Sequence, residues 1–565
     1  MVSKEVGTLV FLDTETTNKN PHKADLLGVS FSQNGKQPQF VTSRLTVPWN
    51  KTDKYVLHNA KYDAVVLHRQ GIDIIDQIHY DTMVAYYLLH IDRSPKMETI
   101  CEEVFKWKKK DLLAVYNECT GHDRKSLPED WYNHVPTERL SVYACEDITA
   151  TQRIYEYTKA ELAKRPELED WFYNIEMPLV RQFVRTELQG VLLDVNKTNE
   201  MSQNIIKRNT ARKSKLLFLA GDPDINLGSP KQLVTLMYDK WQLPCPGKTK
   251  KGNRAAGKDE LEILAKQHAF PKLLIDYREE EKLLSSFTEP LVTQTDDEGR
   301  IHCTFSQCLT KTRRLSCSDP NLQNIPVRSK LGKELRSCFI ARPGYKFFIG
   351  DYDQVELRIL AHKSQDPGML EAFRTGVDVH TQTAEFMSKR LGREFTRADG
   401  KILNFSIVYG KTAYGFALDW GCSEKEAQSI LDVFLEVRPG VKQYIEDQKL
   451  SAYLNKGWVY SLAGLPLYVG DMFTSNKWLK QKAERKAVNY PIQSSSQDII
   501  KTAKVNIMKN TGYVPVLEVH DELVYEIPEN VAEDYLRVFT NVMESAWELS
   551  VPLKAGTKIS DYWEK

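Results

Sequence analysis

The 565-residue chain has no CxxC pair and no Cys/His cluster. Its nine cysteines (101, 119, 145, 245, 303, 308, 317, 338 and 422) are scattered and odd in number. That excludes a disulfide framework and a cysteine-built zinc site, and points to reduced thiols inside a cell. No apolar run is long enough to span a bilayer, and the start MVSKEVGTLVFLDTETT enters a strand pattern without an apolar leader, so no membrane association is expected. Charge of one sign is missing too. A net charge of +1 gives no bulk attraction for a polyanion, so any such partner must be met by local basic patches. Repeats and low-complexity tracts are absent. What remains is an ordinary globular composition, 41% hydrophobic and 27% charged, in a chain too long for one core.

Residues 7–160 alternate short apolar runs (Thr8–Leu12, Leu27–Phe31, Tyr55–Leu57) with helical patterns such as Asp81–Leu89, an α/β layout. From about 160 the pattern turns helical, and EMPLVRQFVRTELQGVLLD predicts a helix ending near Gly190. The Gly- and Pro-rich basic stretch 244–260 reads as a tip between two helical arms. Beyond 300, strands and long helices alternate to the end, and one boundary is placed near 165.

Acids stand out at two places. Asp13 and Glu15 follow the run TLVFL, and HNAKYD supplies Asn59 and Asp63 after a second strand. In YACEDITAT, Tyr143 and Asp147 are four apart on a helical pattern and so share a face. A lone Asp-x-Glu means little, but four carboxylates from three segments, with a tyrosine, can build a two-metal site for phosphodiester cleavage. The second place is FIGDYDQVELRILAH (348–362), where Asp351 and Asp353 follow a buried strand and are expected on one side of it. VPVLEVHDELVYEI (514–527) reads as a hairpin with His520, Asp521 and Glu522 at its turn. Between them, in RADGKILNFSIVYGKTAYG, Arg397, Lys401, Phe405 and Tyr409 recur every four residues and fall in one helical stripe. Core packing would not choose Arg and Lys there, and a solvated face would not line up Phe and Tyr with them. Cations for phosphates followed by an aromatic platform suit a nucleoside triphosphate. The alternative phosphate cradle, GxxxxGK[ST], does not occur.

The first three segments resemble the Exo I, II and III motifs of DnaQ-like 3′–5′ exonucleases. The later ones, with SDPNLQNIPVR (318–328), ERKAVNYPIQSSSQDIIK (484–501) and INLGSPKQL (225–233), resemble A-family DNA polymerases of the bacterial DNA polymerase I type. The resemblance runs from Val10 to the end. It implies an α/β multidomain chain: an RNase H-like exonuclease domain (1–165), then a right-hand polymerase domain (166–565). Within the latter it implies a thumb near 190–300, a palm near 301–370 and 455–565, and fingers near 371–454.

The resemblance also implies roles. Asp13 would bridge two metals, Glu15 and Asp147 would complete the first site, Asp63 would serve the second, and Tyr143 would orient a water. Asp351 and Asp521 would hold the polymerase metals, with Glu522 auxiliary. Arg397 and Lys401 would bind the triphosphate, Lys401 also serving as the acid for pyrophosphate, while Phe405 and Tyr409 line the sugar and base pocket. Glu356 would fill the space of a ribose 2′-hydroxyl. Arg314 and Gln493 would donate to the minor groove, His520 would contact the primer end, and Arg485 and Asn489 the template side. The implied cofactor is Mg²⁺, two per site, with Mn²⁺ as a substitute. Primer–template DNA and dNTPs are the implied partners of a cytoplasmic monomer, alongside accessory proteins such as a helicase or a single-strand-binding protein.

Three positions depart from the family pattern. Asp353 stands where Ser is usual and is expected to form an ion pair. Arg313 replaces a Gly and is expected to strengthen duplex binding. Cys317 replaces a Ser. With no 5′-nuclease segment ahead of the exonuclease and a compact 225–290 stretch, nick translation and an inserted processivity domain are not expected, and the architecture is reminiscent of bacteriophage replicases. Three other readings are weaker: an exonuclease with a DNA-binding C-terminal part, a single-subunit RNA polymerase, and a non-enzymatic scaffold.

Overall fold

The computed structural model describes residues 7–47, 49–121, 128, 130–249, 252–327 and 329–564. Arg328, the last residue of the 318–328 motif, lies outside them, as do Lys250 and Lys251 of the basic stretch. The chain forms two compact units. One comprises 1–189, 303–323 and 344–559, the other 190–302, 324–343 and 560–565. The first unit therefore holds residues on both sides of 165, and the 27-residue helix Thr137–Ala163 is followed at once by a turn of helix from Pro166.

In the first unit, β1 (Leu9–Thr16), β2 (Leu26–Gln33), β3 (Gln39–Val41), β4 (Lys54–Leu57) and β5 (Ile78–Asp81) form a sheet in the order β3-β2-β1-β4-β5. β1 lies antiparallel to β2 and parallel to β4. The apolar run predicted a strand ending at Leu12. Instead β1 continues to Thr16, because Asp13 and Glu15 pair with Ser30 and Gly28 of β2. Two residues apart on one strand, the acids share a face. α1 (Ala60–Arg69) and α2 (Thr82–Leu89) start close together, and one carboxylate caps both. Asp81 accepts from Met83 N (2.9 Å) and Val84 N (3.3 Å), and also from Asn59 N (3.1 Å) and Ala60 N (2.8 Å). α3 (Thr137–Ala163) packs on this sheet, and α4 (Met177–Gln189) packs on α1.

The rest of the unit has a short hairpin, β6 (Thr304–Ser306) with β7 (Ser316–Ser318), and the strand β8 (Tyr345–Tyr352). Helices α5 (Val355–Ser364), α6 (Val379–Leu391), α7 (Arg397–Val408) and α8 (Lys477–Thr511) follow. β9 (Leu517–Val519), β10 (Glu522–Pro528), α9 (Ala532–Glu544) and β11 (Ala555–Ser560) complete it. The sheet order is β9-β10-β8-β11, and its core includes Phe348, Tyr525, Ile527 and Phe539. At Gly400 α7 approaches α6 so closely that a Cβ would lie 2.0 Å from His380 O, so only glycine fits.

The second unit holds the 26-residue helix Val195–Ala220 and the helix Ala269–Leu283, packed together around Leu216, Leu233, Phe270 and Leu274. Its three-stranded sheet pairs Val191–Leu193 with Phe339–Ile340 and with Arg300–Ile301. No helix among the described residues is long and apolar enough to cross a membrane.

Candidate active sites

β1 and α3 bring Asp13, Glu15 and Asp147 together, with carboxylate oxygens within 4.8 Å of one another. Asp63, in the first turn of α1, adjoins them but is turned toward β1, where its Oδ1 accepts from Thr14 N (3.0 Å) and Thr14 Oγ1 (2.7 Å). Burial pushes the Asp13 carboxyl well up, and Asp63, Glu15 and Asp147 add to it. Glu15 is raised by burial and by Asp147. Burial lifts Asp63 to about 7 against its Thr14 bonds, and lifts Asp147 to about 6 against the pull of Lys109. Such a cluster favours a cation among its oxygens. Glu15 Oε1 is buried without a hydrogen-bond partner among the described residues, and every donor is a hard oxygen. These residues therefore fit a divalent cation of the Mg²⁺ or Mn²⁺ kind.

Lys109 was not singled out from the sequence. Its side chain is fully buried in an ion pair with Asp147, and its ammonium lies 4.2 Å from the centroid of the Tyr143 ring. Burial works against its charge, but Asp147 prevails and holds its pKa above the usual lysine value. Tyr143 hydrogen-bonds Asp147, and burial raises its phenol strongly. The run KWKKKD (106–111) looks like a solvated charge run. Only tertiary burial marks out one of its lysines.

The second acid site sits at strand ends. Asp351, on β8, is paired in register with Glu522 on β10, and Tyr352 N donates to Asp521 O at 3.3 Å. β9 and β10 are joined by the two residues His520 and Asp521, with Val519 opposite Glu522 and His520 in the left-handed region at φ 62°. Asp353 does not continue the strand. The chain leaves the sheet through Gln354 (φ 52°), and Asp353 Oδ2 turns to Arg358 Nη2 at 3.0 Å, forming the expected ion pair.

Arg397, Lys401 and Phe405 lie along α7, and Tyr409, one residue beyond it, donates its N–H to Phe405 O at 2.9 Å. The Phe405 and Tyr409 rings stack with centroids 5.9 Å apart, and Lys401 Nζ lies 5.9 Å from the Phe405 centroid. Arg397 is engaged by Asp378 at 2.9 Å. Partial burial opposes the charge on Asp378, yet the guanidinium and the Thr381 bonds hold its carboxyl at about 2. Glu356, 9% exposed in the first turn of α5, pairs with Arg314 and bonds to Tyr409. Burial and that carboxylate lift the Tyr409 phenol to about 12. Arg314, assigned by resemblance to the minor groove, is thus brought to Glu356. Arg485, Asn489 and Gln493 follow one another along α8, and a Cβ at Gly410 would meet Asn489 and Arg485 within 3.3 Å. A cavity of about 630 Å³ beside them is lined by Lys411, Lys449 and Arg485.

Arg313 overturns its expectation. It is 1% exposed, donates to Pro466 O at 2.9 Å and faces Tyr87 of α2, so it offers nothing to a duplex. Cys317 is buried, its thiol donating to Pro320 O at 3.3 Å.

Two acid sites, one beside a helix of cations and aromatic rings, define a class of protein equipped for phosphoryl chemistry at two places. Comparison makes the class specific: residues 195–565 match the model of DNA polymerase family A and residues 3–163 that of a 3′–5′ exonuclease, so the chain belongs to the A-family DNA polymerases. It is 34% identical over 591 residues to DNA polymerase I of Pseudomonas aeruginosa (99% of this chain, 64% of that one), and 33% identical over 568 residues to DNA polymerase I of Bacillus subtilis (97% and 63%). The chain thus spans somewhat less than two thirds of the length of these curated relatives. Among solved structures it resembles the POL domain of Pol1 from M. smegmatis in complex with DNA primer-template and dNTP. The TM-score is 0.85 with 26% identity, covering 99% of this chain and 96% of that one.

Proposed function

We propose that this chain is a DNA-templated DNA polymerase with 3′–5′ proofreading, adding deoxynucleotides to a primer 3′-OH. The observation that carries the reading is the Arg314–Glu356–Tyr409 group, which sets a carboxylate against the aromatic end of α7 close to Asp521. A carboxylate there leaves no room for a ribose 2′-hydroxyl, and this favours deoxynucleotides over the RNA polymerase alternative. The M. smegmatis relative, held with primer-template and dNTP, supports the same partners.

Asp351 and Asp521, with Glu522, are the assigned metal ligands of the polymerase site, and Asp13, Glu15, Asp63 and Asp147 those of the exonuclease. Paired Mg²⁺ ions, when bound, would lower the pKa of the attacking hydroxyl or water and offset charge on the phosphate. Arg397 and Lys401 take the triphosphate, and Lys401 gives a proton to departing pyrophosphate. Phe405 and Tyr409 flank sugar and base. Phe405 offers no hydroxyl to stand in for a missing 3′-OH, so dideoxynucleotides are used poorly. Gln493 serves the minor groove, which presents acceptors at nearly the same place for every base pair, so pair shape is checked without reading sequence. His520 meets the primer end, and Arg485 and Asn489 the template. At the exonuclease, Tyr143 orients the attacking water. The cytoplasm is the proposed location.

A labelled primer–template with Mg²⁺, with and without dNTPs, tests both sites. Wild type lengthens the primer with dNTPs and shortens it without. Asp351→Ala loses only growth, and Asp13→Ala only shortening. A wild type that shortens but never extends leaves the exonuclease alone.

A further inference from the structure

The loop 307–315 between β6 and β7 faces two ways. On one side it meets the C-terminal end of α2, where the last carbonyls of a helix lack intrahelical donors and favour cations. Arg313 Nη2 donates to Leu88 O near that end at 3.5 Å and, at 2.9 Å, to Pro466 O; Lys311 Nζ donates to Ile91 O, two residues past the helix, at 2.8 Å, and Tyr87 Oη donates from the helix to Thr310 O at 2.6 Å. The Arg313 guanidinium lies 5.7 Å from the Tyr87 ring centroid, and Glu176 and Asp498 are close enough to feel its charge. Arg313 sits in the left-handed region at φ 60°, a strained choice for any residue with a Cβ, and strain of this sort survives only where surrounding contacts over-determine it. On the other side the next residue, Arg314, holds Glu356, which bonds to Tyr409. The Arg314 side chain is 39% exposed, so its own packing does little to fix its aim.

We propose that Arg313 is a positioning residue for sugar selection: by tying loop 307–315 to Pro466 O and to the end of α2 at Leu88 O, it aims Arg314 and so holds the Glu356 carboxylate where a ribose 2′-hydroxyl would fall. Arg313 itself touches neither nucleotide nor DNA. The proposal rests on the deoxynucleotide-polymerase reading and extends it, since it makes an exonuclease helix part of the polymerase's substrate filter. Buried anchors of this kind act by removing alternative loop conformations, not by adding a contact to the substrate.

The test measures kcat and KM for dCTP and CTP on one primer–template, using wild type, Arg313→Gly, Arg313→Lys, Arg314→Ala and the double variant Arg313→Gly/Arg314→Ala. Glycine accepts φ 60° freely, so Arg313→Gly removes the guanidinium and leaves the backbone unstrained. Expected are a fall in dCTP-over-CTP selectivity of about tenfold, a raised KM for dCTP and a nearly unchanged kcat, with partial recovery in Arg313→Lys. In the Arg314→Ala background, Arg313→Gly should change selectivity no further. Unchanged selectivity in Arg313→Gly, or a full further loss in the Arg314→Ala background, overturns the proposal while wild-type extension leaves the polymerase reading standing. A wild type that never extends overturns both. Should Arg313→Gly fail to fold, Tyr87→Phe removes only the bond to Thr310 O. It should lower selectivity by about twofold, and no change there is equally fatal.

Discussion

Lys109 and Asp147 form a buried ion pair within the acid cluster of Asp13, Glu15 and Asp147, so this site carries its own cation. Four carboxylates gather here (Asp13, Glu15, Asp63 and Asp147), and one ammonium offsets part of their repulsion.

Removing that ammonium should make the chain depend on metal. Lys109→Met leaves Asp147 buried without its partner and should destabilise the metal-free chain by about 3 kcal/mol. Added Mg²⁺ should then raise the melting temperature more than it does in wild type. Equal Mg²⁺ increments in the two proteins would show that the ammonium does not compete with a bound cation.

The raised carboxyls set a pH trend whose sign is definite. Asp63 titrates at about 7 when folded, against roughly 3.9 unfolded, so between these values the folded chain binds more protons than the unfolded one. Stability in EDTA must therefore fall as pH rises from about 4 to 7. Asp63→Asn removes this contribution, and the stability gap between variant and wild type should widen in favour of the variant with rising pH. Denaturant unfolding at pH 5 and pH 8 measures it, and a gap independent of pH would refute the assignment.

Gly400→Ala should be costly for so small a change. Its methyl would lie 2.0 Å from His380 O, forcing α7 away from α6 at an expense of about 2 kcal/mol. Because α7 carries Arg397 and Lys401, KM for dNTPs should rise while exonuclease action on single-stranded DNA stays unchanged.

Asp353→Ser, by contrast, should be nearly silent. The carboxylate is 51% exposed in its pair with Arg358, which bounds the loss at about 1 kcal/mol. A shifted Mg²⁺ optimum in this variant would contradict a carboxylate engaged by Arg358.

The parts legible in the sequence were those built from neighbours along the chain. The Arg397–Tyr409 stripe and the 514–527 hairpin follow from periodicity alone, and Asp13, Glu15 and Asp63 stand beside strands plain enough to place. Misjudgements came where a distant segment decides. β1 runs on past Leu12 because β2 pairs with it. Arg313 looked like a surface cation until α2, more than 220 residues earlier in the chain, supplied carbonyls to bury it against. Lys109 could not be told from its lysine neighbours by any local pattern.

The hairpin of β9 and β10 has one more consequence. With only His520 and Asp521 between paired residues, the turn has no slack, and the spacing of Asp351, Asp521 and Glu522 is set by main-chain pairing. Side chains behind the sheet can therefore vary in size while the acids keep their places. A single inserted residue is another matter: it would slip β10 by one position and send Glu522 to the opposite face. At this corner the chain can tolerate changes of spelling but not of length.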